Sequence, residues 1–474
     1  MIVLKFGGSS VDSPDSIERV VGIIRGLLPR RPVVVVSAMG KTTRHLLKCA
    51  DAAAAGDLDL PVAWAIFEEL RELHERVAHA VVPPAGHRVL EAMLERWFGE
   101  LHGVIQEIAD EGRLTPRSAD RIASFGELLA SSILSLALDR TGPDSVESPW
   151  IDCRQVLVTD DCFNRAQPIY PETDARLRKA LLPHVAAGRV PVLGGYVGAT
   201  RDGVTTTLGK EGSDFSAAIV GAALGAEEVQ IWTDVDGMMT ADPRQVAAAR
   251  RVRTLSFAEA LELSCSGAKK PHYGTLGPAS RAGVPIRILN SWSPHLEGAP
   301  EGTVIGMRNP AAPPAIKSIT CRDNARRITV RAPGGAGGTG FLGAVLDVCE
   351  RFRPALLVLR ADPEVDPEKN GEVELALDRE DRQLEIHAAL SAIGALSLAP
   401  GRTAVTLVSE DLATSPELVE RVLRAAEGLD PRLVVTGAAA PCIRCLVSEE
   451  MAGAAVSALH GRLFGKEPGG EPVE

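Results

Sequence analysis

Two short apolar runs near the start of the chain, residues 2–6 (IVLKF) and 32–38 (PVVVVSA), enclose one helix-sized segment. Both runs are β-branched and short, the pattern of buried strands. Between them Ser13-Pro14-Asp15 marks a helix start, with Ser13 as N-cap and Pro14 at the first helical position. Strand, helix and strand in this order form a βαβ unit and therefore pair in parallel. This unit directs the chain to an α/β architecture.

From Leu46 to about Asp139 the pattern is mainly helical, with apolar residues at three and four spacing in "AWAIFEELRELHERV" and "SADRIASFGELLASSILSLAL". Residues 190–195, 228–233 and 284–289 read as further strands alternating with helices, which gives an αβα sandwich around a mainly parallel sheet. At 474 residues the chain fits two or three domains. A boundary follows "EGTVIGM", where the prolines of Asn309-Pro310-Ala311-Ala312-Pro313-Pro314 resist helix and sheet alike. Beyond it, residues 326–332, 340–352, 355–361, 372–377 and 380–391 read strand, helix, strand, strand, helix. The same order repeats at 403–408, 415–426, 432–437, 441–447 and 449–464. Two tandem βαββαβ, ferredoxin-like units account for this. The expected domains are thus 1–308, 315–392 and 393–466, with a frayed tail at 467–474.

The chain carries 51 Lys and Arg against 62 Asp and Glu, a formal net charge of −11. That balance disfavours a nucleic-acid or anionic-membrane partner, while a few local cations can still hold an anionic substrate. No apolar stretch is expected to reach the roughly 18 residues of a spanning helix, and no basic, apolar and small-residue leader pattern opens the chain. A cytoplasmic protein is expected. The eight cysteines are scattered. Their one close pair, Cys442 and Cys445, lacks the second pair or histidine spacing of a zinc site, so reduced structural thiols and no protein-held metal are expected.

Three glycine-rich stretches compete as phosphate cradles. Lys5-Phe6-Gly7-Gly8-Ser9-Ser10 lies between a strand and a helix, where paired glycines let backbone N–H groups approach anionic oxygens and the lysine supplies a point charge. A plain turn with a solvated lysine fits this stretch equally well. Gly40-Lys41-Thr42 resembles the end of a P-loop, but position 35, where that loop needs glycine, is Val35 inside a strand. Gly335-Ala336-Gly337-Gly338-Thr339-Gly340 satisfies the dinucleotide pattern formally, with Asp362 further on. It opens a small repeated unit, however, and too little chain follows for a second half.

Residues 203–218, GVTTTLGKEGSDFSAA, bring Gly209, Lys210, Gly212, Ser213 and Asp214 to the start of a small-residue helix. A cation, backbone donors and a carboxylate converge there. Helix capping would explain Ser213 or Asp214 and leave Lys210 and the glycines unexplained. Residues 232–244, WTDVDGMMTADPR, add Thr233, Asp234 and Arg244 on a loop after a strand, which is where ligands sit in parallel sheets. A hydrophilic connection is the bland alternative.

"KFGGSSV", "VVVVSAMGKTT", "SFGELLAS", "TTLGKEGSDFSAA", "IWTDVDGMMTADPR", "ELSCSGAKKPH" and "GTVI" occur in an order and spacing that resembles the aspartate kinases. The resemblance covers residues 1 to about 308, and the tandem units after it look like that family's paired ACT regulatory domains. It implies transfer of the γ-phosphoryl group of ATP, accompanied by Mg²⁺, to the β-carboxylate of L-aspartate. A carboxylate is already ionised at neutral pH, so such a site needs positioning and charge neutralisation rather than a general base.

By this resemblance Lys5 and Asp214 are the catalytic pair, and Phe6, Gly7, Gly8 and Ser9 flank the phosphates. Ser37, Ala38, Thr43, Glu127, Lys210, Gly212 and Ser213 match substrate positions, with Glu127 meeting the α-ammonium. Thr233, Asp234, Met239, Arg244, Lys269 and Lys270 match nucleotide positions. Several residues depart from the family pattern: Lys210 stands where arginine is usual, Arg44 replaces an asparagine, and Met239 replaces a tyrosine. An intact reaction with altered substrate affinity is the consequence expected.

The ACT units imply a lysine or threonine effector and a homodimer or homotetramer. "LLVLRADPEV" and "AAAPCIRCLV" lack the family's usual effector-side serine and asparagine, so weakened feedback is expected. No fused homoserine dehydrogenase is expected. Other carboxylate kinases of the same scaffold, and an amino-acid sensor without turnover, are the alternatives. A sensor would lack Lys5 or Asp214.

Overall fold

In the computed structural model β1 (Ile2–Phe6) and β2 (Pro32–Val36) pair in parallel, with Lys5 opposite Val35. The structure describes all residues except 57, 140–145, 269–270, 294–301, 309–313, 334–338, 353–355, 362–371, 378–382, 430–432, 437–440 and 466–474. Helix α1 (Pro14–Gly26) joins the two strands, and Ser13 caps it by accepting a bond from Ser16 N at 3.3 Å. The expected helical stretch forms α2 (Thr42–Ala54), α3 (Leu60–Val81), α4 (His87–Glu111) and α5 (Pro116–Leu138). Thr115 and Ser118 close a reciprocal capping box at the start of α5.

By length and composition α5 is apolar enough to cross a membrane, contrary to the expectation that no segment is. It is instead a core helix, with 89% of its apolar window buried. The small hydroxyl residues that interrupt its apolar run, Ser131 and Ser132, bond back to carbonyls one turn earlier and so add no unsatisfied polar group.

The chain continues through β3 (Trp150–Ile151), α6 (Cys153–Val156), α7 (Tyr170–Ala186) and β4 (Val192–Gly194). A hairpin follows, β5 (Val197–Ala199) and β6 (Thr205–Thr207), then α8 (Gly212–Leu224), β7 (Val229–Thr233), β8 (Thr254–Ser256) and α9 (Phe257–Cys265). α10 (Tyr273–Ala282), β9 (Ile286–Asn290) and β10 (Thr303–Gly306) complete this part. Eight strands form one sheet in the order β3-β4-β2-β1-β7-β9-β10-β8. Its pairings are parallel except between β9 and β10.

Strand alternation decides which residues of β1 are core and which serve a site. Ile2, Leu4 and Phe6 enter the core that α1 to α5 supply with Ile24, Leu46, Trp97 and Phe125. Lys5 has the opposite parity and turns toward α8, which packs on β1, β2 and β7. From β1 the sheet grows through β2 and β4 on one side and through β7 and β9 on the other. The KFGGSS turn leaves β1 at this topological switch point, where parallel sheets open a crevice.

The described residues fall into two units. One comprises Met1–Met238, Arg253–Phe257 and Pro271–Arg308; the other comprises Met239–Val252, Ala258–Lys270 and Asn309–Glu474. The second unit carries β11 (Ser318–Arg331), α11 (Thr339–Phe352), β12 (Leu356–Ala361), β13 (Glu372–Leu377) and α12 (Gln383–Ser391). β14 (Ala395–Val408), α13 (Pro416–Ala425), β15 (Leu433–Thr436), β16 (Cys442–Ser448) and α14 (Ala452–Phe464) follow. Its antiparallel sheet has the order β12-β13-β11-β14-β16-β15.

The strands expected at 326–332 and 403–408 are portions of two 14-residue strands, β11 and β14, that run through both halves of this sheet. Ile328, Val345, Ile386 and Leu390 fill one core; Ile319, Leu407, Val422 and Leu459 fill another. Residues 318–322 pair with 404–408, so the beginning of this region shares a half with its end. A register irregularity lies between Arg322 and Arg327, where the two halves join.

Cys442 and Cys445 sit buried on β16 as free thiols. Burial pushes the Cys442 thiol up to about 12, which keeps it protonated and inert. The linker 309–313, most of the glycine motif at 335–340, Asp362 and the tail 467–474 lie outside the described residues.

Candidate active site

The Gly7-Gly8 turn is built by close backbone approach. Gly7 N donates to Trp232 O at 3.2 Å, Gly40 N donates to Gly8 O at 3.0 Å, and Ser37 N donates to Phe6 O at 3.1 Å. A Cβ on Gly8 would stand 2.8 Å from Ala38 O and 3.1 Å from Gly40 O, so no larger residue fits between the first and second βα connections. Gly40 fails as a P-loop glycine but serves here, with a left-handed φ of 53°. Ser10 Oγ lies 2.8 Å from Ser291 Oγ, and Ser291 N donates to Thr233 O at 2.8 Å, which ties the turn to the ends of β7 and β9.

Lys5 is 3% exposed and Asp214 is fully buried, and Lys5 Nζ lies 2.5 Å from Asp214 Oδ1. Among the described residues neither Asp214 oxygen has a hydrogen bond of regular geometry. A charged pair this deep is costly unless further polar partners arrive. Asp214 does not cap its helix: α8 is entered through Glu211 with a left-handed φ of 54°, and Asp214 sits in the first turn. Capping therefore explains neither Ser213 nor Asp214.

The second cluster lies where α5 meets β2 and β4. Glu127 Oε1 accepts from Ala38 N at 3.1 Å, while Glu127 Oε2 is buried without a hydrogen-bond partner among the described residues. Burial pushes the Glu127 carboxyl up to about 8, against the pull of the Ala38 N–H and, more weakly, of the Lys5 charge. Two glycines permit this packing. A Cβ on Gly126 would stand 2.7 Å from Ala38 Cβ and 3.4 Å from Thr43 Oγ1, and one on Gly194 would stand 3.1 Å from Glu127 Cβ. Ala38, Thr43 and Glu127 are thereby brought together, with half-buried Ser37 at the end of β2.

Lys210 is exposed on the loop before α8, and Gly212 and Ser213 are buried at its start. A Cβ on Gly195 would come within 2.6 Å of Ser213 Cα, so β4 and α8 also meet at a glycine. His272 was not singled out as a site residue, although it stands in the "GAKKPH" motif. Burial lowers its pKa, the nearby Lys210 charge lowers it further, and the Asp214 charge opposes both. Thr42, also unforeseen, buries a hydroxyl oxygen without a hydrogen-bond partner among the described residues.

Thr233 and Asp234 close the end of β7, with Thr233 Oγ1 donating to Asp234 Oδ1 at 3.0 Å. Met239 and Arg244 belong to the second unit, where Arg244 Nε donates to Asp242 Oδ1 at 3.0 Å. Lys269 and Lys270 lie outside the described residues. Among the described residues no group of three or more His, Cys, Asp or Glu side chains is placed to hold a metal ion.

The profile of the amino acid kinase family matches residues 1–290. Aspartokinase 2, chloroplastic, from Arabidopsis thaliana is 31% identical over 477 residues, covering 98% of this chain and 85% of its own. The chain belongs to the aspartokinases. A crystal structure of E. coli aspartokinase III in complex with aspartate and ADP, described as the R-state, superposes with a TM-score of 0.81 at 29% identity, covering 98% of this chain and 100% of that one. The same E. coli enzyme in complex with lysine and aspartate, the T-state, gives a TM-score of 0.77 with 98% and 99% covered. The aspartokinase fold thus extends through the second unit.

Proposed function

We propose that this aspartokinase phosphorylates the β-carboxylate of L-aspartate with ATP, releasing ADP and an aspartyl acyl phosphate. The observation that carries the reading is the buried Lys5–Asp214 pair at the glycine turn, beside a second buried carboxylate, Glu127, that has an oxygen to spare. The E. coli relative solved with aspartate and ADP supports the same substrates here.

An oxygen of the substrate β-carboxylate attacks the γ-phosphorus, the bond to the β,γ-bridging oxygen breaks, and ADP leaves with that electron pair. No proton is abstracted, because the nucleophile is already an anion. The chain's task is to bring two anions together. Lys5 faces the migrating phosphoryl group and offsets its charge, while Asp214 fixes the ammonium in place. The turn at Gly7 and Gly8 lets the backbone close on the phosphates. Glu127 takes the substrate α-ammonium, and Lys210 offers a point charge to a substrate carboxylate.

Mg²⁺ would accompany the nucleotide, with Asp214 as the residue that would help to hold it. Such an ion keeps mostly water and phosphate ligands and needs only one or two carboxylates, and Asp214 has oxygen capacity beyond its ion pair. When bound, it supplies further neutralisation of phosphate charge.

We assign the kinase domain to 1–308 and regulation to the remainder, whose ACT-like units interleave through β11 and β14. Weakened response to lysine or threonine, a homodimer or homotetramer, and a cytoplasmic setting are part of the same proposal. The E. coli structure with lysine supports amino-acid control, and the substituted effector-side stretches support its weakening. Both residues that a sensor without turnover would lack are present and paired.

A hydroxylamine trap of the acyl phosphate, run with ATP and aspartate and then with ATP and glutamate, tests the reaction. Hydroxamate that depends on aspartate is the expected result. Turnover with glutamate alone, or none with either, overturns it.

A further inference from the structure

Two turns before Glu127 on α5, the helix buries another carboxylate that the transfer chemistry does not use. Asp120 is fully buried. Its Oδ1 accepts from Thr207 Oγ1 at 2.6 Å and from Asn164 N at 3.0 Å; its Oδ2 accepts from Thr207 N and Asn164 N, each at 2.9 Å. All these donors are neutral. Burial raises the Asp120 pKa against their pull. Burying a carboxylate on neutral donors alone is costly, but it gives short, charge-assisted bonds that fix geometry tightly.

What they fix is the base of the lysine loop. Thr207 ends β6, and the chain passes through Leu208 and Gly209 to Lys210 and α8. Leu208 N donates to Tyr196 O at 2.9 Å, and Ala166 N donates to Thr207 O at 2.8 Å. Gly209 has a φ of 82°, and a Cβ there would stand 3.0 Å from Asn164 O. Asn164 and Tyr196 are themselves held left-handed, at φ 67° and 62°. Two non-glycine residues outside the favoured backbone region thus flank a glycine that adopts its φ freely, around the segment that Asp120 holds, and the conformations of Asn164 and Tyr196 persist only where the surroundings impose them.

Asp120 and Glu127 are seven residues apart, on one face of α5 and about 10 Å apart along its axis. We propose that Asp120 is a positioning residue that sets the span between Glu127 and Lys210, and through that span the enzyme's choice of amino-acid chain length. The inference rests on the kinase reading above, in which those two groups hold the ammonium and a carboxylate of the substrate.

The test is steady-state kinetics of Asp120→Asn and Thr207→Val, with aspartate, glutamate and ATP each varied and the thermal midpoint measured alongside. Loss of span control should raise the aspartate KM about tenfold or more, leave the ATP KM within about twofold, and narrow the preference for aspartate over glutamate about fivefold. A lowered midpoint with both KM values unchanged, or equal losses on aspartate and ATP, would show a merely structural brace and overturn the proposal. Thr207→Val keeps the backbone bonds, so it gives the same readout if Asp120→Asn does not fold. Absence of aspartate-dependent turnover in the unaltered enzyme is a different result: it removes the kinase reading and this proposal with it.

Discussion

Glu127 gives the most quantitative expectation. With its carboxyl pushed up to about 8 in the free enzyme, only about one molecule in eleven carries the charge at pH 7 and about one in a hundred at pH 6. The substrate ammonium binds the charged form, so apparent affinity is the intrinsic affinity multiplied by that fraction. Between pH 8, where about half is charged, and pH 6, the aspartate KM should therefore rise about fiftyfold, approaching tenfold per unit below pH 7. The ATP KM should not follow.

Stability moves with the same group. Its folded pKa lies above the ordinary 4.5, so folding favours the neutral form; this contribution is complete below 4.5 and is lost as pH rises through 8. The rise from 4.5 to about 8 corresponds to at most about 5 kcal/mol. Glu127→Gln, which cannot ionise, should bind aspartate poorly at every pH, lose the steep KM slope, and melt above the unaltered enzyme at pH 9 with the gap closing toward pH 5. The measurements are KM for each substrate from pH 6 to 8 and calorimetric melting from pH 5 to 9. A flat aspartate KM in the unaltered enzyme, or an unchanged slope in Glu127→Gln, would refute the reasoning.

Further tests follow from the same packing. Lys5→Met should abolish hydroxamate formation and also cost about 3–5 kcal/mol in denaturant unfolding, because it strands a buried carboxylate. Adding Asp214→Asn should restore much of that stability and none of the turnover; recovery of turnover would exclude Lys5 from the transfer. Gly126→Ala places a methyl 2.7 Å from Ala38 Cβ and should cost about 1–3 kcal/mol while raising the aspartate KM, read by melting and initial rates. Millimolar lysine or threonine should inhibit weakly, and inhibition at ordinary aspartokinase potency would count against the proposed loosening of control.

The parallel sheet was legible in the sequence, and both members of the buried Lys5–Asp214 pair stand in stretches that the sequence marks out. Short β-branched runs, a Ser-Pro helix start and glycines beside Lys5 are local signals, and local physics decides them. The depth of the pair was not legible. From the sequence, a Lys5→Ala change should cost turnover far more than folding stability, yet Lys5 is buried against a residue 209 positions away, so stability is at stake as well. Asp120 escaped notice for a similar reason: within "SADRIASFGELL" it reads as an ordinary polar residue of a helix's first turns. Only the closure of Asn164 and Thr207 around it gives it a purpose. The apolar length of α5 likewise carried no sign of whether lipid or a sheet would cover it.

The interleaving of β11 and β14 imposes an order on how this protein can be made. A ribosome releases Ser318–Arg322 early, but their partners on β14 arrive only with residues 404–408, and the remaining strands and α14 of that half come last. The half served by α11 and α12 can close as soon as the first part of β14 is out, whereas the other must wait for nearly the whole chain. During translation the nascent enzyme therefore carries one finished half-sheet with an open edge, and premature termination within α13 or β16 leaves that edge uncovered, a template for pairing with other chains.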